Sequence, residues 1–581
     1  MDITDSTTTT LQNKSLRLWP GILFVILQWL IRFGLPAISP GSIGIGIFGG
    51  LIFGLLIIIW WAFFSRAPKF ERWFAILLMV VAIVATSQIN HKSISTAMMG
   101  MMFPFYAIPV MCLAFVSWSF FTRNLSLKTR RLTMVASILI ASGFWACLRT
   151  NGMDGQSRQY FALRWSKTAE DRILKSSDDK LTTVSVDASE MSKEAEWPGF
   201  RGTERDGIVH NVRINTNWTQ SPPVEMWRKS VGPACSSFAI HGVLLFTQEQ
   251  RGDYEMVTCY NLNTGAPVWR HNDKTRFWDS HAGAGPRSTP TLYNGRVYTS
   301  GATGIVNVLD ERDGKVIWTR NAAEDTKVKL PGWGYTGSPV VIDSVVVVAV
   351  AGKLIAYDII TGNQRWEGPD GGESYSSPQL MTIDGVRQVV FMNMQSITGF
   401  APDSGKELWQ IKVPGGAPII QPAQINQSDI LINIGDVTTP LREMRCITIK
   451  NGSDGWKTEE RWKTDQLKPY FNDFIIHKDH VFGFEGPGLV CIDMEKGNRK
   501  WRGGRYGGQL LLLADQDILL VLSEKGELAL VKAAPEQFKE LARFPAIKGK
   551  TWNHPVMVGN ILVVRNSEEM AAFRLPVNVP V

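Results

Sequence analysis

The chain has 581 residues, too many for one ordinary domain, and its 45% hydrophobic and 20% charged content excludes an intrinsically disordered protein. The net charge of +8 is not gathered into a basic block, so we expect no nucleic-acid partner. None of the six cysteines forms a C-x-x-C pair, which disfavours a zinc ribbon, a thioredoxin-like redox site and an attached c-type haem.

Residues 1–148 contain long apolar stretches that predict a helical membrane domain. A helix rises about 1.5 Å per residue, so about 20 residues cross a hydrocarbon core of about 30 Å. Five stretches approach that length, at about 19–38, 43–64, 73–89, 99–121 and 132–148. Tryptophans lie mostly near their ends, as is typical of the membrane interface. We therefore expect about five transmembrane helices in contact with membrane lipid.

The charges between these stretches predict the orientation. Positive residues precede the first stretch and lie between the second and third and between the fourth and fifth: Lys14, Arg17, Arg66, Lys69, Arg72, Arg123, Lys128, Arg130 and Arg131. Positive loops face the cytoplasm, so we expect a multi-pass protein of the cytoplasmic (inner) membrane with its N-terminus inside. Everything beyond Arg149 then faces the periplasm. With one span fewer, that part would lie in the cytoplasm.

Arg32 lies inside the first apolar stretch and has two interpretations. An arginine near a helix end can extend its charged head to the membrane interface. Alternatively, it marks an intramembrane site for an ion or a lipid headgroup.

Residues 149–196 are polar and predict a periplasmic linker. Residues 157–174 have the spacing of an amphipathic helix near the membrane. The following residues have few large apolar side chains and predict a spacer.

From Val224 onward the chain repeats a unit of about 40–50 residues, a period typical of solenoids and propellers. Each unit has strand-like runs, then a Thr/Asp-Gly turn, then a strand ending in tryptophan, as in "DIITGNQRW" at 358–366. The glycine permits the positive φ of a tight hairpin, and the tryptophan supplies apolar area for the seam between units. Four short antiparallel strands per unit predict a propeller blade.

The number of units predicts how the ring closes. The outer strands are marked by Trp227, Trp269, Trp318, Trp366, Trp409, Trp462 and Trp501, with Phe544 in the eighth position. Residues 551–575 offer three strands without a fourth, and Val224–Ser230 offers a fourth strand with no blade before it. The first strand should therefore complete the last blade, which gives an all-β, eight-bladed propeller over 197–581.

The Asp-x-x-Thr-Gly-x-x-x-Trp pattern of 358–366 resembles the pyrroloquinoline-quinone (PQQ) type propeller repeat. The sequence "WPGFRGTERDGIV" at 197–209 is similar to the lead-in found before many such domains. The resemblance covers about 196–576 and implies the fold. It does not imply one function, because one fold hosts many.

The resemblance leaves two functional classes open. One is the quinoprotein dehydrogenases, which oxidise alcohols or sugars with PQQ and calcium; their membrane-bound glucose-oxidising members share the five-span layout. The other is non-catalytic, such as the propeller lipoprotein of outer-membrane assembly. These blades are close to minimal, with few insertions to roof a cofactor. We therefore favour a binding or scaffolding module for a protein or cell-envelope partner, with no committed cofactor, over a PQQ-dependent enzyme that reduces a membrane quinone.

The start of each blade's first strand should line the central channel. Aligning the blades places one polar residue of each near one channel mouth: Ser237, Thr289, Ser338, Ser377, Gln421, Asp473, Gln509 and His554. Such positions are often polar simply because water reaches them. The functional alternative is a funnel for a ligand or peptide.

The connectors between blades should surround that mouth. They carry aromatic and charged residues typical of binding hot spots, or of blade caps: Trp278, Asp279, His281, Arg287, Trp333, Tyr470, Arg505, Tyr506 and Trp552. A calcium site needs several converging oxygen ligands. Asp279, Glu373 and Asp473 are candidates for some of them, but no spacing requires such a site, and we assign no metal.

Overall fold

The computed structural model describes residues 16–39, 42–175, 181, 194–435 and 441–577. The chain divides into two compact units, Met1–Ser166 and Lys167–Val581. Lys14 and most of the expected spacer lie outside the described residues.

The first unit is helical. Its elements are the first span Trp19–Ile38, which contains a π-helical turn at Leu30–Gly34; the second span Ile43–Phe64, which ends in a π-helical turn at Trp60–Phe64; the third span Lys69–Ile89; a short helix Lys92–Ser95; the fourth span Met102–Phe121; a fifth helix Leu127–Gly143; a 3₁₀ turn Phe144–Cys147; and a hairpin of Leu148–Met153 and Gln159–Leu163. Within the described residues, four helices are long and apolar enough to cross a membrane.

The prediction of five membrane-length helices is therefore corrected to four. The fifth helix begins at Leu127, where the Ser126 hydroxyl caps it, and it has only 17 residues. The apolar run at 132–148 continues past its end into the 3₁₀ turn and the first strand of the hairpin. The length of an apolar run therefore overestimates the length of a helix when a turn ends the helix within that run.

The fifth helix packs lengthwise against the third and fourth spans. Near its start, Arg130 lies 3.3 Å from the carboxylate of Glu71, at the start of the third span. Near its end, the Ser142 hydroxyl lies 2.7 Å from the Thr86 hydroxyl, near the end of the same span. The indole N–H of Trp118 in the fourth span donates to the Thr133 hydroxyl of the fifth helix at 3.0 Å. The fifth helix therefore runs alongside the third span from one end to the other.

Arg32 is buried within this helical unit. Its guanidinium lies 4.9 Å from the ring centroid of Phe33 and 4.6 Å from that of Tyr106. Its Nε donates to the carbonyl of Phe105 at 3.4 Å. The charge is thus held by two aromatic rings and a carbonyl between helices.

The second unit is the expected propeller. In the described part of the chain, eight four-stranded antiparallel blades form a ring, which confirms the predicted fold class. Their strands are, in blade 1, Ala239–His241, Leu244–Arg251, Tyr254–Asn261 and Pro267–Asp273; in blade 2, Thr291–Tyr293, Arg296–Ser300, Ile305–Asp310 and Val316–Asn321; in blade 3, Val340–Ile342, Val345–Val350, Lys353–Asp358 and Gln364–Glu367; in blade 4, Gln379–Ile383, Val386–Met392, Ser396–Phe400 and Glu407–Lys412; in blade 5, Ala423–Gln424, Asp429–Ile434, Glu443–Gly452 and Gly455–Thr464; in blade 6, Ile475–His477, His480–Glu485, Gly488–Asp493 and Arg499–Gly503; in blade 7, Gln509–Leu513, Ile518–Leu522, Glu527–Lys532 and Glu540–Pro545; and in blade 8, Val556–Val558, Ile561–Arg565, Glu569–Arg574 and Val224–Ser230.

Short elements lie outside the blades. They are the helices Ala169–Ile173 and Ala322–Thr326, the 3₁₀ turn Ala514–Gln516, and the strands Trp278–Asp279 and Gly283–Ala284. Ile208–Val209 adds a fifth strand to the sheet of blade 7. The prediction of an amphipathic helix over 157–174 is wrong, because Gln159–Leu163 pairs as a strand with Leu148–Met153.

The repeated Gly and Trp form the seams between blades. In one seam, the Trp227 indole of blade 8 donates to the Leu262 carbonyl of blade 1 at 2.7 Å. Gly265 of the same blade 1 turn has φ +67°, and a Cβ there would lie 2.7 Å from the Trp227 ring. The turn therefore needs glycine at this position for two reasons: the positive φ, and the indole that leaves no room for a Cβ. The same close contact recurs where Gly314, Gly362 and Gly405 meet the preceding tryptophan.

Ring closure follows the prediction. Val224–Ser230 pairs antiparallel with Glu569–Arg574 and completes blade 8. The closing seam also contains Arg565, which is fully buried. Its guanidinium donates to the Thr247 hydroxyl at 2.6 Å and to the carbonyls of Gln248 and Gly232 at 3.0 and 2.8 Å. One side chain thus joins the last blade to the first.

We expect Arg565→Met to destabilise the propeller by about 3 kcal/mol, because it leaves buried carbonyls at the closing seam without donors. Urea unfolding of the detergent-solubilised chain measures the effect. The control is Arg574→Met, an exposed arginine of the same blade. Equal stability of the two variants would contradict the assigned role of Arg565.

Candidate functional site: the propeller channel and its connector face

The lead-in at 197–209 runs through the propeller channel. Trp197 forms a β-bridge with Ile240 in the first strand of blade 1. Ile208–Val209 then adds as a parallel strand to Gln509–Leu513, the first strand of blade 7. First strands line the channel, so the segment enters along one wall and leaves along another.

Between these strands, the segment contacts the other side of the channel. Arg205 donates to the carbonyls of Ser338 and Pro339 before blade 3, at 3.3 and 2.9 Å. The Gln421 amide, before blade 5, donates to the Arg205 carbonyl at 2.6 Å. Arg201 donates to the Phe474 carbonyl before blade 6, at 2.7 Å. A segment that contacts blades this far apart must lie on the axis, and residues 197–209 are called the plug below.

The structure brings the predicted channel residues together as a buried ring. In the first part of this ring, each backbone N–H donates to a hydroxyl of the next blade. Ser237 donates to Thr289, Thr289 to Ser338, and Ser338 to Ser377, each at 3.0 Å. These hydroxyls therefore join neighbouring blades.

The remaining ring residues bond to the plug or to the connectors. Gln421 binds the plug, and the Gln509 amide donates to the carbonyls of Phe471 and Trp552 at 3.3 and 3.1 Å. The His554 carbonyl accepts from the Ser237 hydroxyl at 2.7 Å. Sequence reasoning placed these residues at the mouth of the channel but did not identify the segment that fills it.

A buried ion pair lies on the axis. Asp473 lies 3.4 Å from Arg201 of the plug and 2.9 Å from the His554 imidazole. Burial alone would raise the pKa of Asp473, but Arg201, His554 and Arg205 outweigh it and hold the pKa below its ordinary value. Burial, together with nearby Arg201, lowers the pKa of Arg205 to about 10. The plug thus brings two guanidinium groups to the single carboxylate that opposes them.

The carboxylates do not fit a calcium site of the kind that a PQQ enzyme would need. Asp473 is held by Arg201 and His554, and Asp279 is held by Arg287. Glu373 is exposed. Among the described residues, no three His, Cys, Asp or Glu side chains are placed to hold a metal ion.

Some of the predicted rim residues are buried and hold the connectors in place, whereas others remain accessible at the surface. Arg287 is buried and binds Asp279, whose other oxygen accepts from the backbone of His281 at 2.7 Å. Tyr506 is also buried, and its hydroxyl donates to Glu540. These residues fix the connectors. Arg505 is exposed, and Trp278 and Tyr470 are half-buried.

Three aromatic residues meet over the channel mouth. Trp333 lies between blades 2 and 3, Phe471 between blades 5 and 6, and Trp552 between blades 7 and 8. The Trp552 ring centroid lies 6.3 Å from that of Trp333 and 5.2 Å from that of Phe471. His281 stacks on Trp333 at 5.0 Å. Connectors so far apart around the ring can touch only over the axis, so these rings form an aromatic roof.

Sequence reasoning missed Arg201 and Arg205 of the plug, and Phe471 and Lys550 of the connectors. The lead-in motif contained a signal, because its two arginines precede a domain whose channel mouth was predicted to hold Asp473. Lys550 places its ammonium 3.9 Å from the Trp552 ring centroid, two residues away in sequence.

Comparisons with known proteins place this propeller among PQQ-type repeats. A family model described as outer membrane protein assembly factor BamB matches residues 253–503. The chain is 26% identical over 280 residues to that factor from Yersinia pestis, covering 45% of this chain and 66% of the relative. It is 26% identical over 180 residues to quinohemoprotein alcohol dehydrogenase from Comamonas testosteroni, covering 28% of this chain and 24% of the relative. The crystal structure of the Comamonas enzyme superimposes with a TM-score of 0.49 and 13% identity, over 68% of this chain and 82% of that one.

The fold and the repeat define the class as an eight-bladed propeller built from PQQ-type blades. Over residues 253–503 the chain matches a PQQ-like propeller family model, and both BamB and quinohemoprotein alcohol dehydrogenase are among the proteins to which it is similar. It spans less than two thirds of the length of most of these relatives.

We expect Asp473→Asn to destabilise the propeller by about 3 kcal/mol at neutral pH, because Arg201 and Arg205 lose the charge that opposes them. The pKa of Asp473 is lower in the folded chain than in the unfolded chain. Its ionised carboxylate therefore stabilises the fold at pH values above the pKa that Asp473 has in the unfolded chain. The contribution is lost as pH falls through the folded pKa.

Urea unfolding from pH 7 to pH 3 tests this expectation. The difference between wild type and Asp473→Asn should shrink on acidification. Asp454→Asn is the control, because the Asp454 side chain is 75% exposed. A difference that does not change with pH would rule out an ionised Asp473 as the stabilising group.

Proposed function

We propose that the chain is a membrane-anchored propeller that binds a protein or cell-envelope partner through its connector face. The observation that carries this proposal is the plug. Because the chain's own residues 197–209 occupy the channel, a partner must bind outside it, and we propose the face with the aromatic roof.

The connector face has the chemistry of a protein-binding surface. Trp333, Phe471 and Trp552 are half-buried, so each keeps part of its ring accessible. Lys550 lies over Trp552, and Arg442 lies 5.4 Å from the Tyr470 ring centroid. Aromatic rings with adjacent cations are the groups that dominate binding energy in protein interfaces. The similarity to BamB supports a partner in the cell envelope.

The alternative is a PQQ-dependent dehydrogenase that oxidises an alcohol or a sugar and reduces a membrane quinone. The similarity to the Comamonas enzyme over 180 residues favours it. Bound PQQ would supply a two-electron acceptor for the substrate. Asp473 and Asp279 are engaged by arginines, and their geometry does not fit the calcium that would accompany it.

The two functions differ in what the purified chain binds. Our proposal expects no saturable binding of PQQ with calcium, and a photocrosslinker in place of Trp333 that reacts with one defined envelope protein in cells. The same crosslinker in place of Tyr254, on a blade 1 hairpin and 42% exposed, is the control. Micromolar PQQ binding with alcohol or sugar turnover, or equal crosslinking at both positions, would refute the proposal.

We place the propeller in the periplasm. Four crossing helices with the N-terminus inside would return the chain to the cytoplasm, so this side requires the fifth helix to cross as well. Support comes from its polar contacts, which run along the third span from Glu71 to Thr86 and turn its polar residues into the bundle.

A reporter that is active only in the periplasm tests the placement when it is fused after Val581. We expect activity. As a control, the same reporter fused after Phe121 at the end of the fourth span should be inactive. Silence of the fusion after Val581 would place the propeller in the cytoplasm, whether or not the second fusion is active.

A further inference from the structure

The hairpin at the end of the helical unit exposes an apolar surface. It consists of Leu148–Met153 and Gln159–Leu163 and continues to Trp165. Tyr160 is 43% exposed, Leu163 45% and Trp165 70%. Large apolar side chains this close together on so short an element need a cover, because a soluble surface seldom leaves them exposed as a group.

The hairpin lies at the level where the third span ends. Arg164 donates to the carbonyl of Ile89, the last residue of that span, at 3.3 Å. The backbone N–H of Thr150 donates to the Ser93 hydroxyl at 2.9 Å. Phe161 packs against Trp145, with ring centroids 5.7 Å apart. These contacts hold the hairpin beside the helix ends.

Cations lie next to the exposed apolar residues. Arg149 donates to the carbonyls of Leu163 at 3.4 Å and Ser166 at 3.3 Å, which fixes its guanidinium beside the second strand. Burial lowers the pKa of His91, and the positive charges of Arg164 and Arg149 lower it further. The two guanidinium groups are therefore close to the same imidazole. Within the described residues, no carboxylate forms an ion pair with Arg164.

The exposed apolar surface continues along the fifth helix. Ile140 near the end of this helix is 72% exposed, and Phe144 in the 3₁₀ turn between the helix and the hairpin is 52% exposed. The hairpin therefore extends a surface that faces lipid if the fifth helix lies in the membrane. A partner protein is not needed to cover it.

We propose that this hairpin lies in the headgroup layer of the membrane, where Leu163 and Trp165 enter the acyl boundary and Arg149 and Arg164 bind the phosphates of anionic lipids. Tryptophan suits this layer because its ring is apolar and its N–H is polar. Guanidinium groups bind phosphate oxygens in a bidentate manner. The inference rests on the membrane anchoring proposed above and adds a lipid class to it.

Hydroxyl-radical footprinting of the full chain in lipid nanodiscs tests the position of the hairpin. Trp165 should be oxidised about fivefold more slowly than in the unfolded chain, because lipid covers an indole of the interface. Tyr254 of the propeller, 42% exposed, is the internal control and should be slowed far less. Oxidation of Trp165 as fast as its 70% exposure implies would overturn the proposal.

Thermal unfolding of the detergent-solubilised full chain tests the lipid class. Adding phosphatidylglycerol should raise the midpoint, whereas phosphatidylcholine or inorganic phosphate at the same concentration should not. The double variant Arg149→Gln/Arg164→Gln should lose most of that rise. Arg158→Gln is the matched control in the same hairpin, because Asp154 already pairs with Arg158 at 2.7 Å.

The outcomes separate this inference from the anchoring on which it rests. Release of the chain from membranes by alkaline carbonate would refute the anchoring. A chain that resists carbonate but keeps its full phosphatidylglycerol response in the double variant would overturn the lipid site alone. A rise with inorganic phosphate that equals the lipid effect would identify a phosphate site instead of a membrane surface.

Discussion

The ion pair between Arg201 and Asp473 on the propeller axis is the contact on which the other features of the channel depend. A buried carboxylate is costly without a partner, and so is a buried guanidinium. The blades alone supply Asp473 and His554, and the plug alone supplies Arg201 and Arg205. Neither part is electrostatically satisfied without the other. The plug is therefore part of the folded propeller and not a linker that happens to pass through it.

The ring of blades is held by a different and more local interaction. In the four seams from blade 8 round to blade 4, a turn glycine lies against the indole of the preceding blade, and the indole N–H donates to a carbonyl across the seam. Such contacts need only neighbouring blades, so they repeat with the sequence. The closing seam has the same contact and gains Arg565, which bonds to three groups across it. The closing seam thus combines the apolar glycine–indole contact with the hydrogen bonds of one buried arginine.

These two kinds of interaction explain what the sequence could and could not predict. The blades were predictable because a turn glycine and a tryptophan recur at a fixed distance in most of them. Ring closure was predictable because Val224–Ser230 lacked a blade and the last blade lacked a strand. The role of Ser237 or Gln421 was not predictable, because a polar residue at a channel mouth looks the same whether it meets water or the chain's own backbone.

The helical unit shows the same limit. The four spans were predictable from apolar length, but the 132–148 run does not reveal that its helix ends at Gly143. The apolar residues of 157–174 suggested an amphipathic helix, yet Gln159–Leu163 pairs with the strand Leu148–Met153 before it. In both places a nearby tertiary partner decided the local structure.

A chain whose channel is filled by its own residues must meet partners on its surface. Backbone hydrogen exchange of the plug in the intact chain tests this most directly. We predict that residues 200–207 exchange as slowly as the inner strands of blades 1 and 7, because their release would uncover Asp473 and empty the axis. Exchange of these residues at the rate of an unprotected loop would contradict the account, since the channel would then be open to a ligand.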